Sequence, residues 1–174
     1  CSSDLYIPRG FVNTDMEFDA LWRLLWSNTL PTRNRWTGGE VKRRQCSLFP
    51  PQSSVGVYTF SGQTNVSLNT DVFWDHPVIR AVRGVMVAHA SWPVGAPYFI
   101  HINLMPGGAG VAPHSDSDPS IIAPNSDIVA VSMMNTDTDV ALLDIVDDVT
   151  KRREATFRLR HGDVYIMKGG MQES

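Results

Sequence analysis

The chain has 174 residues, of which 43% are hydrophobic and 19% are charged, and its formal net charge is −3. This composition is typical of one soluble globular domain that can bury a sizeable core. No apolar run approaches the ~20 residues that span a bilayer, and the negative charge argues against a protein that coats nucleic acid with its whole surface. We expect a monomer without membrane contact.

The first residue is Cys1 rather than Met, so we expect a trimmed or processed product or a piece of a larger polypeptide. Its first residues lack the apolar core of a signal peptide. Two cysteines, Cys1 and Cys46, are too few for a disulfide framework. An intracellular, reducing compartment (nucleus or cytoplasm) is therefore the expectation, with a single bridge between the two thiols as the alternative.

Two segments have the spacing of amphipathic helices. Residues 14–17, Thr-Asp-Met-Glu, form a capping box, and apolar residues recur at helical spacing after it until Pro31. A second helix is predicted to begin near Pro77, because proline is favourable in a first helical turn. Its predicted apolar face consists of Val78, Ile79, Val82, Val85 and Met86.

Short β-branched or aromatic segments, bounded by turn residues, dominate the rest of the chain. The predicted strands cover residues 54–62, 98–105, 127–134, 140–146, 155–160 and 163–168. No repeat or interior linker interrupts them. The pattern predicts a single domain over residues 1–174 of the α+β class, mainly β, with a sandwich or jelly-roll architecture and flanking N-terminal helices.

The segment 102–118, INLMPGGAGVAPHSDSD, joins a Gly-rich turn to a His-x-Asp pair. A Walker loop would end in Gly-Lys-Ser/Thr, and a dinucleotide-binding loop would lead into a helix, whereas these glycines lead into Val-Ala-Pro. A phosphate-binding loop is therefore excluded. In extended chain His114 and Asp116 leave the same face, where they supply two of the three ligands of a two-histidine, one-carboxylate iron site. Taken alone, such a pair is more often surface decoration.

The residues around this pair form a longer pattern. Asn103 precedes His114 by eleven residues, with Gly108 between them and Asp118 after them. The segments KRRQCSLFPPQSSVGVYTFSG (42–62), SDIVAVSM (126–133) and HGDVYIMKGGMQES (161–174) flank that motif. In this order, over about residues 10–174, the segments resemble AlkB-type iron(II)/2-oxoglutarate dioxygenases, which demethylate nucleic acids. The resemblance implies a double-stranded β-helix, that is, a jelly roll.

This resemblance implies the metal and co-substrate contacts. His114 and Asp116 would bind iron(II) as the catalytic centre, and Asn103 would contact 2-oxoglutarate. The family usually has a tyrosine that donates to 2-oxoglutarate where this chain has Met105, whose thioether offers no hydroxyl donor. The distal metal histidine, the arginines that grip 2-oxoglutarate and the last strands are expected beyond Ser174. The other histidines are interpreted as capping, strand or loop residues: His76, His89, His101 and His161.

The resemblance also implies that a methylated base leaves its stack and is clamped in the site. The residues assigned to the substrate are Tyr58, Phe60, Ser61, Asp118, Arg43 and Arg44. Phe60 and the His114 ring would sandwich the base, and the Asp118 carboxylate would favour a cationic ring such as N1-methyladenine or N3-methylcytosine. The two arginines are predicted phosphate contacts. For the aromatic residues, packing within a strand is the alternative.

The reaction that follows is oxidative demethylation of N-methylated bases in DNA or RNA, with iron(II), oxygen and 2-oxoglutarate and with release of formaldehyde. Two alternatives remain. One is a 2-oxoglutarate oxygenase acting on a protein or a small molecule, and the other is a nucleic-acid-binding module that has the fold without turnover. The Tyr58–Ser61 segment and the basic residues before it favour a nucleic-acid substrate over the first alternative.

Overall fold

The computed structural model describes residues 15–33, 37–53, 59–60, 63–64, 66–68, 71–112, 114, 126–134, 139–147 and 149–168, with the backbone alone at 15, 16, 59, 60, 63, 64 and 66. Three helices lie in these ranges: α1 (Asp15–Ser27), α2 (Asp71–Trp74) and α3 (Pro77–His89). The strands are β1 (Pro31–Arg33), β2 (Glu40–Leu48), β3 (Thr59–Phe60), β4 (Gln63–Thr64), β5 (Val66–Ser67), β6 (Ile100–Leu104), β7 (Ile128–Val131), β8 (Ala141–Val146), β9 (Arg153–Leu159) and β10 (Val164–Met167).

The chain divides into two compact units. The α1 unit comprises Met16–Arg80 and Gly95–Val111, and the C-terminal unit comprises Cys1–Asp15, Ala81–Val94 and Ala112–Ser174. Most strand pairs are antiparallel, and β2 with β5 is parallel. The prediction of a mainly β protein of the α+β class is thus confirmed at the level of class. The single-domain prediction stays a prediction.

Both predicted helices are present. Helix α1 begins at Asp15, inside the predicted capping box, and buries Phe18, Leu21 and Leu25. The spacing of these three residues puts them on one face, as the sequence predicted. Helix α3 begins at Pro77 and buries Val78, Ile79, Val82 and Met86.

The carboxyl end of α1 is capped by side chains. The last carbonyls of a helix have no partner within it, and here Thr29 Oγ1 donates to Leu25 O at 2.8 Å. Arg44 Nη1 donates to Trp26 O at 2.6 Å and to Thr29 O at 2.7 Å. The guanidinium carbon lies 4.0 Å from the centroid of the Trp26 ring. A cation at this end also complements the helix dipole.

Replacing Arg44 by alanine is therefore expected to lower the free energy of unfolding by about 2 kcal/mol. Hydrogen bonds made by a charged donor contribute roughly 1.5–3 kcal/mol and a cation–π contact roughly 0.5–1 kcal/mol at an exposed site, and the partly exposed position reduces the sum. Urea denaturation measures the loss. Lysine at this position keeps the charge but lacks the planar guanidinium. It should therefore recover only part of the lost free energy of unfolding. An alanine variant as stable as the parent would contradict the capping role.

Strand β2 is the central strand of the α1 unit, and it pairs with β1, β5 and β6. Its register with β6 places Gln45 opposite Asn103 and Cys46 opposite Ile102. Side chains alternate between the faces of a strand. One face of the pair therefore carries Arg44, Cys46, Leu48, Ile100, Ile102 and Leu104. Four of these six residues are buried, and Arg44 contacts α1 on this face. The opposite face is polar.

The C-terminal unit contains two antiparallel pairs. Strands β7 and β10 pair from Ile128 with Met167 to Val131 with Val164, and β8 and β9 form a hairpin. Just outside the first pair, the buried Asp127 carboxylate accepts hydrogen bonds from Ser91 N at 3.0 Å and from Lys168 Nζ at 3.1 Å. Trp92 Nε1 donates to the Asp127 carbonyl at 2.9 Å. These hydrogen bonds connect the segment after α3, at Ser91 and Trp92, to the β7–β10 pair.

Strands β6, β7, β8 and β10 each lie within a predicted strand, and β9 begins two residues before its predicted start. Strand β3 lies within the remaining predicted strand, residues 54–62. Strands β1, β2, β4 and β5 and helix α2 were not among the predicted elements. No helix in the described ranges is long and apolar enough to cross a membrane.

Candidate functional site

The polar face of the β2–β6 pair brings several chemically versatile side chains together in the α1 unit. We define the polar face as Arg43, Gln45, Ser47, His101 and Asn103, which the register and the alternation of side chains place together. It passes from a buried end at Ser47, which is 0% exposed, to an open end at Asn103, which is exposed. The Asn103 end is therefore the accessible end of the polar face.

Asn103 is oriented by a neighbour across the sheet. Gln45 Nε2 donates to Asn103 Oδ1 at 3.2 Å. Because the Asn103 oxygen is used as the acceptor, its Nδ2 carries the two N–H donors that remain available for a ligand. The predicted co-substrate residue thus presents a donor group, which suits a carboxylate. Met105, two residues further on, is 44% exposed and lies outside the hydrophobic core.

Arg43 brings positive charge to the same face. Its side chain is half-buried, and burial lowers the pKa of its guanidinium because the charged form is partly desolvated. Its Nε is buried and has no hydrogen-bond partner among the described residues. Such a group is costly unless a partner is supplied.

The buried end of the polar face is held by a serine and a histidine. Ser47 Oγ and His101 Nδ1 lie 3.2 Å apart, within hydrogen-bonding distance. Ser67 of β5 stands beside Ser47 in register, and its buried Oγ has no hydrogen-bond partner in the described part of the chain. No role was predicted for Ser47 or Gln45, and His101 was interpreted as a strand residue. The polar residues at alternate positions 43, 45 and 47 were the sequence signal that could have indicated a polar face on this strand.

His114 lies in the C-terminal unit and is exposed. Its Nδ1 lies 2.8 Å from Ala112 O. A carbonyl only accepts, so Nδ1 must carry the proton, and in the neutral ring the lone pair then lies on Nε2. A metal-binding histidine commonly donates its other ring N–H to a carbonyl in this way. The geometry therefore fits a metal ligand.

Several predicted site residues lie outside the described residues: Asp116, Tyr58, Ser61 and Asp118. Phe60 is described by its backbone alone, within β3. Within the described ranges, no three His, Cys, Asp or Glu side chains are grouped closely enough to hold a metal ion. The structure brings Arg43 to the same face as Asn103, whereas Arg44 points to the opposite face and contacts α1. The roles predicted for the two arginines at phosphates stay predictions.

No protein-family model matches this chain, and no curated protein sequence matches it. The resemblance described above therefore depends on the motifs of the chain itself.

Proposed function

We propose that this protein is an iron(II)/2-oxoglutarate dioxygenase that removes methyl groups from N-methylated bases in DNA or RNA. The observation that carries the proposal is the hydrogen bond from His114 Nδ1 to Ala112 O, because it prepares Nε2 for a metal at the position where the sequence motif predicts one. His114 and Asp116 would hold the iron. The jelly-roll architecture is part of this proposal.

The chain's own residues would bind and orient the reactants. Asn103 supports the co-substrate role, since its Nδ2 donors remain available for a carboxylate. Phe60, Tyr58, Ser61 and Asp118 would bind the flipped base, and Arg43 and Arg44 keep their predicted role at phosphates. Iron(II), oxygen and 2-oxoglutarate, when bound, would oxidise an N-methyl group, and its carbon would leave as formaldehyde.

Formaldehyde release tests this function directly. The natural protein that carries these 174 residues is supplied with iron(II), ascorbate and 2-oxoglutarate and is offered oligonucleotides that contain N1-methyladenine or N3-methylcytosine. We expect formaldehyde to appear with the methylated strands, in DNA or in RNA, and none with unmethylated strands of the same sequence. The His114→Ala variant provides the inactive control.

Other outcomes would replace the proposal. Formaldehyde from a methylated protein or small molecule, with none from any oligonucleotide, would favour an oxygenase of another substrate class. Tight oligonucleotide binding without turnover of any substrate would favour a binding module.

A further inference from the structure

Positive charge is concentrated on the β8–β9 hairpin. Residues 151–160 contain five of the chain's 15 Lys and Arg residues and a single acidic residue, so this stretch carries a net charge of +4 in a chain whose net charge is −3. Every residue of the stretch except Ala155 and Leu159 is exposed. Whether the charge is available to a ligand depends on the partners that each cation has within the hairpin.

The carboxylates of the hairpin are engaged by other hairpin residues. Asp144 accepts a hydrogen bond from Thr156 Oγ1 at 2.5 Å and forms an ion pair with Arg153 at 3.1 Å. Asp147 accepts hydrogen bonds from the backbone N of Thr150 at 2.5 Å and from its Oγ1 at 2.6 Å. Asp144 thus neutralises one arginine, and Asp147 serves the turn between the two strands.

Two exposed arginines remain on one face of the hairpin. Arg158 and Arg160 are two residues apart, so the alternation of side chains places both on the same face, separated by about 7 Å along the strand direction. Within the described residues, neither guanidinium has a hydrogen-bond or ion-pair partner. Leu142 lies opposite Arg158 in the register and is 66% exposed. We define the arginine face as Leu142, Arg158 and Arg160.

The chemistry of this face indicates the class of ligand that it fits. A planar guanidinium offers parallel N–H donors to two oxygens of one phosphate. The separation of the two arginines is close to that of successive phosphates along an extended nucleic-acid strand. Phe157 precedes Arg158 and therefore lies on the other face of β9, so the arginine face has no ring on which a base could stack. Such a surface would contact the backbone of a strand and not its bases.

We propose that the arginine face binds the sugar–phosphate backbone of a nucleic-acid strand, whatever its sequence or methylation. This inference goes beyond the proposed function, because a protein that bound strands without turnover would use the same residues. Other polyanions fit less well. An acidic peptide or an anionic membrane presents negative charge without the regular phosphate spacing that matches Arg158 and Arg160.

Fluorescence anisotropy of a labelled, unmethylated single-stranded oligonucleotide tests the proposal with the natural protein. Each phosphate contact with a single strand contributes about 0.7 to the slope of log K against log salt concentration. The double variant Arg158→Gln/Arg160→Gln should therefore reduce the magnitude of that slope by about 1.4. The ratio of the parent's affinity to the variant's should accordingly fall roughly sevenfold as the salt concentration rises fourfold.

A second double variant provides the matched control. Arg23→Gln/Arg80→Gln removes two exposed arginines from α1 and α3 and changes the net charge by the same amount, so its slope and its affinity should stay close to the parent's. Arg158→Lys/Arg160→Lys keeps both charges and loses the planar donors. It should therefore keep the slope of the parent and bind more weakly.

The sequence of the oligonucleotide separates backbone contacts from base contacts. Phosphate contacts carry no sequence information. Arg158→Gln/Arg160→Gln should therefore lose affinity by the same factor for several unrelated sequences, each offered with and without N1-methyladenine.

Two measurements guard against an effect of the substitutions on the fold. Substitutions of exposed side chains without partners seldom change stability, so the three double variants should melt at the temperature of the parent. In the unsubstituted protein, phenylglyoxal modifies accessible arginines. An unmethylated oligonucleotide should protect Arg158 and Arg160 from this reagent and leave Arg23 reactive.

Several results would overturn the proposal. A parent protein that does not bind the unmethylated strand at low salt overturns it, whereas formaldehyde release from methylated strands still decides the proposed function. A slope for Arg158→Gln/Arg160→Gln equal to that of the parent, or an equal change in the control variant, overturns it as well. A loss confined to one sequence would indicate base contacts. If the variant instead loses binding to vesicles that contain phosphatidylserine, or to polyglutamate, with its oligonucleotide affinity unchanged, the arginine face binds a membrane or an acidic protein.

Discussion

His114→Ala is expected to abolish specific binding of Mn²⁺ or Fe²⁺ by the natural protein. The hydrogen bond from Nδ1 to Ala112 O fixes the tautomer in which Nε2 carries the lone pair that a metal can use. Loss of a residue that merely supports a metal ligand costs about 10–100-fold in affinity, so loss of the ligand itself should exceed that range. Electron paramagnetic resonance of added Mn²⁺ measures the bound fraction.

A matched histidine in the same unit provides the control. His89 lies in the last turn of α3 and is half-buried, so His89→Ala removes an imidazole without touching the predicted ligands. Its Mn²⁺ affinity should stay within twofold to threefold, about 0.4–0.7 kcal/mol by the relation of 1.4 kcal/mol per tenfold. Retention of full affinity by His114→Ala, or equal losses in both variants, would remove His114 from the metal site.

Asp127→Ala is expected to produce the largest loss of stability, about 3 kcal/mol. The carboxylate is buried, and its removal leaves Ser91 N without its acceptor and Lys168 Nζ without its counter-ion. Hydrogen bonds to charged groups contribute roughly 1.5–3 kcal/mol each, and the partial exposure of Lys168 limits the total. Urea denaturation measures the change.

Asp144→Ala is the matched control for this loss. Asp144 forms an ion pair with Arg153 at 3.1 Å, but the arginine side chain is 65% exposed. Exposed ion pairs contribute about 0–1 kcal/mol. If both alanine variants lost the same stability, the buried Asp127 cluster would have no special role.

The same cluster predicts a dependence of stability on acid. Burial raises the pKa of Asp127, but the hydrogen bonds from Ser91 and Lys168, together with the charge of Lys168, outweigh it, and the net pKa lies below the ordinary value. A lowered folded-state pKa stabilises the protein above the unfolded-state pKa of about 3.9, and that stabilisation is lost as the pH falls through the folded-state value. The difference in stability between the parent and Asp127→Asn should therefore shrink below about pH 4.

Helices and most strands were predictable because their signals are local. Glu17 in a capping box and Pro77 in a first turn mark the two long helices, and alternating apolar residues mark β6 to β10. Strand β2 was missed because its first six residues, Glu-Val-Lys-Arg-Arg-Gln, are mostly charged or polar, so they show no alternation of apolar and polar residues. Arg44 shows why, since its stem and guanidinium cover Trp26 as an apolar residue would. Elements of two to four residues are too short to show a period.

The candidate site was predictable only in part. The motif gives Asn103 and His114, yet the neighbour that orients Asn103 is Gln45, 58 residues earlier in the chain. No local sequence pattern predicts how two strands so far apart in the chain align with each other. The half-burial of Arg43 depends on what packs around it, which composition does not reveal. The metal and base contacts assigned to Asp116 and Asp118 stay predictions.

Cys46 gives the protein an internal reporter of its own opening. The thiol is fully enclosed in β2, and burial raises its pKa to about 12. The thiolate is the species that alkylating reagents attack, and the raised pKa keeps it scarce at neutral pH. Labelling of Cys46 should proceed only through molecules in which β2 has separated from its partners. The alkylation rate would then follow the opening of the strand that carries Arg43 and Gln45, without a label built into the protein.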